Sequence, residues 1–497
     1  MKGESAAGAV PLTFGDHYAI RLGAGAVHDS RMHCGLAVRR PGPPPDPESL
    51  RELVAERVRV AAPALTYRVA GRGRHACWEP DPGFDAAHHV EFHRLPRVTY
   101  QAVVDAMRLR PLSWERPLWS LMVLYGEPGE GHVVCYRAHH AFQDGMGVVA
   151  AARALLSTGT LPPPTEAGDD GGGPVYRGSP GPVRSALGDL RRLAAASPPW
   201  FAMHLDPGES AGGGLRLEVA NLDRAAFDDV SRATGASIAQ IGLALVTGAI
   251  RAWNQPAWNQ PAWNQPAWDA GPTLDGAGKP AAGPRGESSA EQTAGPPVGQ
   301  TAGMPAGPTA GPAAELAVRL RAGSPGDWPA GLRRGLPVGL PVGLLGHRAH
   351  TGLGNHTGLL PITLPCDEPS PATRLERIAE QTTIRRIAHA RRSARGLYGL
   401  PAAVAVPMLR LLSPLLGQSS PRRLGATALP VPRELAGQGE VFAVPGLPPA
   451  LAGMVVIMPA GANVAISAVF DPRVARTDEF PGLLRRELTE SLAPATR

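Results

Sequence analysis

The sequence has almost no lysine. Of its 49 basic residues, only Lys2 and Lys279 are lysines, and all the others are arginines. The arginines are scattered rather than grouped in long runs, which argues against a nucleic-acid-binding face. The net charge of +6 is small for 497 residues. It is compatible with an anionic membrane surface or a polyphosphate-bearing ligand, and charge alone does not separate these alternatives.

Cysteine is also scarce, and long apolar runs are missing. The four cysteines (34, 77, 135 and 366) lie far apart and form no CxxC pair, so neither a zinc site nor a disulfide framework is predicted. A cytoplasmic location, with contact at the inner membrane face left open, is the simplest interpretation. The first ten residues lack the apolar core of a signal peptide. Residues 236–253 are predicted to form a buried helix rather than a membrane span, and residues 397–416 either pack in the core or lie against lipid.

Glycine and proline, in contrast, are abundant, with 60 and 54 residues. Much of the excess lies in a linker and in an insertion that contains NQPAW three times in tandem (residues 254–268). A five-residue repeat with a proline in each copy suits neither a helix nor a sheet interior, so a disordered surface insertion is predicted. The predicted organisation is an N-terminal lobe (1–158), a linker (159–200) and a C-terminal lobe (201–497) interrupted by the insertion (254–335).

The most informative motif is His139-His140-Ala-Phe-Gln-Asp144-Gly145. It follows a predicted strand, 132–139, and precedes a predicted helix, 145–156, in a position where loops commonly present catalytic groups. A neutral His140 can accept the proton of an alcohol or amine that attacks an acyl carbonyl. Asp144 is expected to fix the loop, His139 to support the turn and Gly145 to leave space for substrate. The alternative is a pair of structural histidines at the end of a strand.

Two other motifs are weaker. His88 and His89 with His93 invite a metal-site interpretation, but a strand through these residues would place only His89 and His93 on one face, and no metal site is predicted. Gly208-Glu-Ser210-Ala-Gly212 matches the GxSxG of serine hydrolases. No convincing strand or helix flanks it, so it is not predicted to be a nucleophile elbow.

The order of motifs resembles that of the bacterial wax ester synthase/diacylglycerol acyltransferase family, within the larger group of CoA-dependent acyltransferases. HHAFQDG matches the family's HHxxxDG. The segment Pro117-Leu118-Trp119 matches its PLW motif, and Gly354-Asn355 its GN block. Two positions depart from the family pattern. Ala239-Gln240 replaces an Asn-Asp pair, and Thr427 to Pro432 replaces a Ser-Asn-Val-Pro-Gly-Pro block.

The resemblance implies an α/β fold of two chloramphenicol-acetyltransferase-like lobes, with mixed sheets flanked by helices and an active-site tunnel between the lobes. It implies an O-acyltransferase with no bound cofactor, which uses acyl-CoA as co-substrate and His140 as general base. Pro117, Leu118, Trp119, Gly354 and Asn355 are then expected to contact substrate. The acceptor is a diacylglycerol or long-chain alcohol, with peripheral membrane or lipid-droplet contact. A secondary metabolite as acceptor and a non-catalytic relative remain the alternatives.

Overall fold

The computed structural model describes residues 8–24, 26–157, 214–258, 335–344, 352–416, 423–449 and 451–492. The chain divides into two compact units, one made of Met1–Asn254 with Pro325–Arg497 and the other of Gln255–Ser324. The predicted linker, Ser210 and most of the predicted insertion lie outside the described residues, so the predicted domain boundaries stay predictions.

Fourteen strands lie in the described part of the chain. They are β1 (Val10–Pro11), β2 (His33–Arg40), β3 (Tyr67–Ala70), β4 (Cys77–Pro80), β5 (Val90–Arg94), β6 (Trp119–Tyr125), β7 (His132–His139), β8 (Arg216–Asp223), β9 (Leu336–Gly343), β10 (Thr357–Leu364), β11 (Leu424–Ala428), β12 (Glu440–Val444), β13 (Gly453–Ala460) and β14 (Asn463–Phe470).

The helices described by the structure alternate with these strands. They are α1 (Phe14–Leu22), α2 (Ala26–Arg31), α3 (Pro47–Ala61), α4 (Tyr100–Leu109), α5 (Gly145–Leu156), α6 (Arg224–Thr234), α7 (Ile238–Trp258), α8 (Pro371–Gln381), α9 (Ile384–Tyr398), α10 (Ala402–Leu416), α11 (Arg433–Ala436) and α12 (Phe480–Leu492).

The first large sheet carries the HHxxxDG segment. Its strand order is β12-β2-β7-β6-β5, with β5 parallel to β6 and the other neighbours antiparallel. Strand β7 is central and buried along its whole length. Both faces of HVVCYRAH therefore lie against other parts of the protein. The edge strand β12 comes from the C-terminal half of the chain, so the two halves are joined by backbone pairing.

The second large sheet has the order β10-β9-β11-β13-β14-β8 and is also mixed, because β11 is parallel to both of its neighbours. A small third sheet, β1-β4-β3, lies in the N-terminal half. Two mixed sheets with flanking helices are the α/β, two-lobed architecture that the resemblance predicted.

Helix starts follow from local sequence. Thr13 and Asp16 form a capping box at α1, and Asp46 accepts a hydrogen bond from the Ser49 amide at the start of α3. Such side chains satisfy amides that the helix leaves unpaired. Gly235 ends α6 in the left-handed conformation, with φ of 73°, which glycine adopts without steric cost.

The apolar stretch 236–253 is a buried helix, as predicted. Side chains of α7 such as Leu243, Val246 and Ile250 lie in the core of the C-terminal lobe. Helix α7 continues to Trp258, through the first NQPAW copy, and the predicted start of the insertion at 254 stays a prediction. Among the described helices none is long and apolar enough to cross a membrane alone; α6 with the part of α7 to Asn254 passes only as a pair bent by 105°.

The prediction that His88 and His89 belong to a strand is wrong. Residues Ala86–His89 form a 3-10 turn capped by Asp85, and β5 begins only at Val90. The Asp85 carboxylate accepts a hydrogen bond from the Ala87 amide, which favours the turn locally over an extended chain. His89 is buried and stacks on Trp119 at 4.4 Å between ring centroids, whereas His93 pairs with Glu91 at 3.0 Å.

Candidate active site

The HHxxxDG segment forms the turn between β7 and α5. His139 ends the strand, and its backbone amide donates to the carbonyl of Leu118 at 3.0 Å. The next amide, that of His140, donates to the carbonyl of Met32 at 2.8 Å. Where the chain leaves β7, its backbone is therefore hydrogen-bonded to the residues that directly precede β6 and β2.

The two histidines have different surroundings. The side chain of His139 is fully buried; its Nδ1 accepts a hydrogen bond from the Ala141 amide, and its Nε2 lies 3.4 Å from Asp29. Burial would by itself raise the pKa of Asp29, but the hydrogen bonds from His139 and His33 outweigh that effect and lower the pKa. Trp114 contacts His139 edge-on at 5.0 Å and donates its indole N–H to Asp29. His139 is thus bonded within the turn through the Ala141 amide, and its supporting role stays a prediction.

His140 is partly exposed, in contrast with His139. Its Nδ1 lies 3.0 Å from the side-chain amide nitrogen of Asn355, which also donates to the His140 carbonyl at 3.2 Å. Burial lowers the pKa of His140, against smaller raising effects from a hydrogen bond to its own backbone and from the charge of Asp144. The imidazole is therefore neutral at pH 7, the form that can accept a proton.

Asp144 joins the two halves of the chain at this site. One carboxylate oxygen caps α5 by accepting from the Gly147 amide at 2.9 Å. The other accepts from the amide of His356 at 3.0 Å and from the hydroxyl of Thr357 at 3.2 Å. The carboxylate thus connects the start of α5 to residues 356 and 357, and its role in the site stays a prediction.

The Gly354-Asn355 segment lies directly beside HHxxxDG. The amide of Gly354 donates to the carbonyl of Phe142 at 2.6 Å, and Gly354 pairs with Gln143 in an isolated bridge. Gln143 itself donates to the Gly352 carbonyl and accepts from the Tyr136 hydroxyl at 2.6 Å. Asn355 is thereby placed against His140, although the two residues are 215 positions apart.

Gly354 has φ of 82°, and a Cβ there would lie 3.3 Å from both Asp16 and His356. We expect Gly354→Ala to destabilise the protein by more than the roughly 1–2 kcal/mol of the backbone conformation alone. Gly42→Ala is the matched control, since Gly42 has φ of 81° and a Cβ added there would meet no atom within 4 Å. Urea unfolding of both variants checks this, and equal losses would show that the tight contact does not matter.

The PLW residues pack in the core next to the HHxxxDG segment. Leu118 and Trp119 are fully buried, and the carbonyl of Leu118 accepts from His139. The indole of Trp119 donates to the Leu65 carbonyl at 2.7 Å and stacks between His89 and Tyr136. These contacts belong to the core of the N-terminal lobe, and contact of Pro117, Leu118 or Trp119 with substrate stays a prediction.

The two positions that depart from the family pattern also have defined surroundings. Gln240 accepts from the Ser237 amide at the start of α7 and donates to Thr382 at 2.9 Å. Leu429 follows β11, and a Cβ added at Gly145 would lie 3.0 Å from its side chain. A side chain at position 145 would therefore contact Leu429.

Sequence reasoning missed Asp16. Its carboxylate is fully buried and accepts from the Asn355 amide at 2.6 Å, the Thr13 amide at 2.8 Å and the Trp78 indole at 3.1 Å. Burial raises the pKa of Asp16 to about 6, against the lowering effect of these hydrogen bonds. The capping-box spacing of Thr13 and Asp16 was visible in the sequence, but the contact with Asn355, 339 positions away, was not.

The part of the chain that contains the HHxxxDG segment is similar to known proteins. The family model described as the wax ester synthase/diacylglycerol acyltransferase catalytic domain matches residues 24–198. A Mycobacterium tuberculosis protein, provisionally named a diacylglycerol O-acyltransferase, is 27% identical over 208 residues, or 36% of this chain and 44% of its own length. A second one from that organism is 31% identical over 103 residues, or 19% and 22%. The chain therefore spans less than half the length of these curated relatives.

Solved structures extend the similarity of fold to nearly the whole chain. The wax ester synthase/diacylglycerol acyltransferase from Marinobacter aquaeolei VT8 aligns with a TM-score of 0.51 at 16% identity, over 97% of this chain and 98% of its own. The first condensation domain of the calcium-dependent antibiotic synthetase aligns with 0.52 at 16%, over 98% and 97%. These confirm the fold, and the match at 24–198 confirms the resemblance of that part of the chain to the wax ester synthase/diacylglycerol acyltransferase catalytic domain.

Proposed function

We propose that the protein is an acyl-CoA-dependent O-acyltransferase that esterifies a diacylglycerol or a long-chain alcohol, with His140 as general base. The observation that carries the proposal is the partly exposed imidazole of His140 directly after the buried strand β7, with the side-chain NH₂ of Asn355 donating to the His140 carbonyl. The match of residues 24–198 to the family's catalytic domain supports the same chemistry.

The reaction follows from the tautomer of the ring. In the tautomer with the proton on Nδ1, Nδ1–H donates to the His140 carbonyl and the Asn355 NH₂ donates to that carbonyl rather than to the ring. Nε2 then keeps its lone pair and can accept a proton. The acceptor hydroxyl gives its proton to Nε2 as its oxygen attacks the thioester carbonyl, so that a C–O bond forms. The tetrahedral intermediate then collapses, the C–S bond breaks, and the CoA sulfur leaves with the proton from His140. The base is regenerated and no covalent enzyme intermediate is needed.

The acceptor is tested by CoA release from palmitoyl-CoA, followed with a thiol reagent, across a panel of hexadecanol, a diacylglycerol, non-lipid secondary-metabolite alcohols and water alone. We expect release to depend on the lipid alcohol, with the ester identified by mass spectrometry. Release only with a non-lipid secondary-metabolite acceptor would replace the acceptor class. Absence of release with every acceptor would contradict the proposed activity.

The lowered pKa of His140 predicts the pH dependence. A general base works in its unprotonated form, so kcat/KM should fall toward acid pH with a midpoint below 6.5, the ordinary value for histidine. Initial rates measured between about pH 5 and 8 give that midpoint. Because Asp16 also titrates near pH 6, the profile is repeated in Asp16→Asn. A limb that lies above about pH 7 in both proteins would contradict a neutral His140 at rest.

A further inference from the structure

A buried polar cluster that does not react in the proposed mechanism lies beside the HHxxxDG segment. Its centre is the carboxylate of Asp29, in the short helix α2. The Nε2 atom of His139 lies 3.4 Å from Oδ1 of Asp29, and the Nε2 atom of His33 lies 3.7 Å from Oδ2. Trp114 donates its indole N–H to Oδ1 at 3.1 Å. One carboxylate thus faces three ring nitrogens.

The surroundings of His139 define the tautomer of its ring. Its Nδ1 accepts from the Ala141 amide at 3.0 Å, and a ring nitrogen that accepts cannot also carry a proton. Burial lowers the pKa of His139, against the raising effect of Asp29, so the ring is neutral at pH 7 and carries a single N–H. That N–H is therefore on Nε2, the atom that faces Asp29.

The carboxylate of Asp29 makes this tautomer favourable. Within the described part of the chain, Nε2 of His139 has no hydrogen bond of ordinary geometry, and Asp29 is the carboxylate that pairs with it. A buried N–H without an acceptor is costly. Gly23 also borders this atom, because a Cβ added there would lie 3.1 Å from Nε2. The ring therefore has little room on that side.

His139 in turn organises the backbone that follows His140. Its ring accepts the amide of Ala141, and its carbonyl accepts those of Phe142 at 2.8 Å and Gln143 at 3.2 Å. Three consecutive amides are thus bonded to one residue. With its proton on Nδ1, the ring would face the Ala141 amide as a second donor, and that hydrogen bond would be lost. The peptide units next to His140 would then shift.

We propose that Asp29 is a positioning residue for the acyltransferase site: it holds His139 in the Nε2–H tautomer, and thereby fixes the turn that presents His140. The effect on rate rests on the proposed function, whereas the tautomer does not. The role needs an acceptor oxygen at Oδ1 rather than a negative charge. Asparagine can supply that oxygen with its NH₂ group toward His33. Leucine has the same branched shape and cannot supply it.

Two variants of matched shape test this role in the CoA-release assay. Asp29→Asn should keep kcat close to that of wild type. Asp29→Leu should lower kcat about 10-fold with little change in KM for palmitoyl-CoA, because the displaced group is the base. Equal losses of kcat in the two variants would overturn the proposal, since the charge or the site itself would then matter rather than the acceptor.

A double-variant cycle tests whether Asp29 acts through His139. In His139→Asn the amide oxygen can accept from Ala141 without any tautomer to select. Asp29→Leu should therefore have little further effect on kcat in the His139→Asn background. The same loss of kcat in both backgrounds would overturn the proposal.

The tautomer is measured directly by NMR of the full chain with ¹⁵N-labelled histidine, in which long-range proton–nitrogen correlations show which ring nitrogen carries hydrogen. Signals missing from His139→Asn belong to His139. We expect Nε2–H in wild type and in Asp29→Asn, and a shift toward Nδ1–H in Asp29→Leu. A protonated Nδ1 in wild type, or an unchanged Nε2–H in Asp29→Leu, would overturn the proposal. Because these signals do not require turnover, a protein inactive with every acceptor would contradict the proposed function alone.

Discussion

Replacing His140 with alanine is expected to lower kcat/KM for acceptor-dependent CoA release by about 10²–10⁴-fold, the usual contribution of a positioned general base. The alanine leaves substrate surfaces in place but removes the partly exposed ring at the end of β7. KM for acyl-CoA should change little, because the imidazole acts on the attacking hydroxyl. Initial rates measured with the same thiol assay check both parameters.

The matched control for this loss is His88→Ala. His88 is exposed, and the carboxylate of Asp85 lies 3.8 Å from its ring nitrogen, so its removal breaks one weak surface contact and should leave the rate unchanged. Both variants must unfold at the same temperature as wild type for the comparison to hold. If His140→Ala releases CoA at the wild-type rate in an active preparation, the assigned base is wrong.

Asp16→Asn is expected to have the largest effect among changes that do not touch His140. The carboxylate accepts three hydrogen bonds, and an amide has only one oxygen, so at least one of the buried N–H donors would then face an NH₂ group. An unsatisfied buried donor costs about 1–3 kcal/mol. The affected donor can be the backbone amide of Asn355. In that case the Asn355 side chain, which contacts His140, moves, and kcat should fall while KM changes little.

Asp16 also predicts a pH dependence of stability with a definite sign. Its pKa is raised from 3.8 to about 6 in the folded protein, so the folded state holds the proton more tightly than the unfolded state. The stabilisation is complete below pH 3.8 and is lost as the pH rises through about 6. The difference in unfolding free energy between wild type and Asp16→Asn should therefore move by about 3 kcal/mol against wild type between about pH 3.5 and 7.

The matched control is Asp46→Asn. Asp46 caps α3 as Asp16 caps α1, but it is exposed and its carboxylate accepts from the Ser49 amide of its own helix. Its replacement should cost about 1 kcal/mol or less, with kcat unchanged. Urea titrations at several pH values give the free energies. A stability difference between wild type and Asp16→Asn that does not vary with pH would show that folding leaves the pKa of Asp16 unshifted.

Local patterns in the sequence were sufficient for much of the N-terminal lobe. The run from His132 to His139 is apolar enough for a central strand, and β7 has those bounds. Asp144 before GMGVVAAARALL is a helix start signal, and α5 begins at Gly145 with Asp144 as its cap. Both features depend on neighbours within a few residues. The same reasoning failed at His88 and His89, where the side chain of Asp85 stabilises a turn instead of a strand.

The sequence by itself determined the local structure around His140, because HHAFQDG carries its own strand end, turn and helix cap within seven residues. Only the tertiary structure decided what surrounds His140. Asp16, Met32 and Asn355 meet at His140 through hydrogen bonds that span 108 to 339 positions, and β12 crosses to the opposite sheet. Periodicity and capping act over one or two turns of chain, whereas these contacts exist only once both lobes are packed, so no local pattern could have paired Asp16 with Asn355.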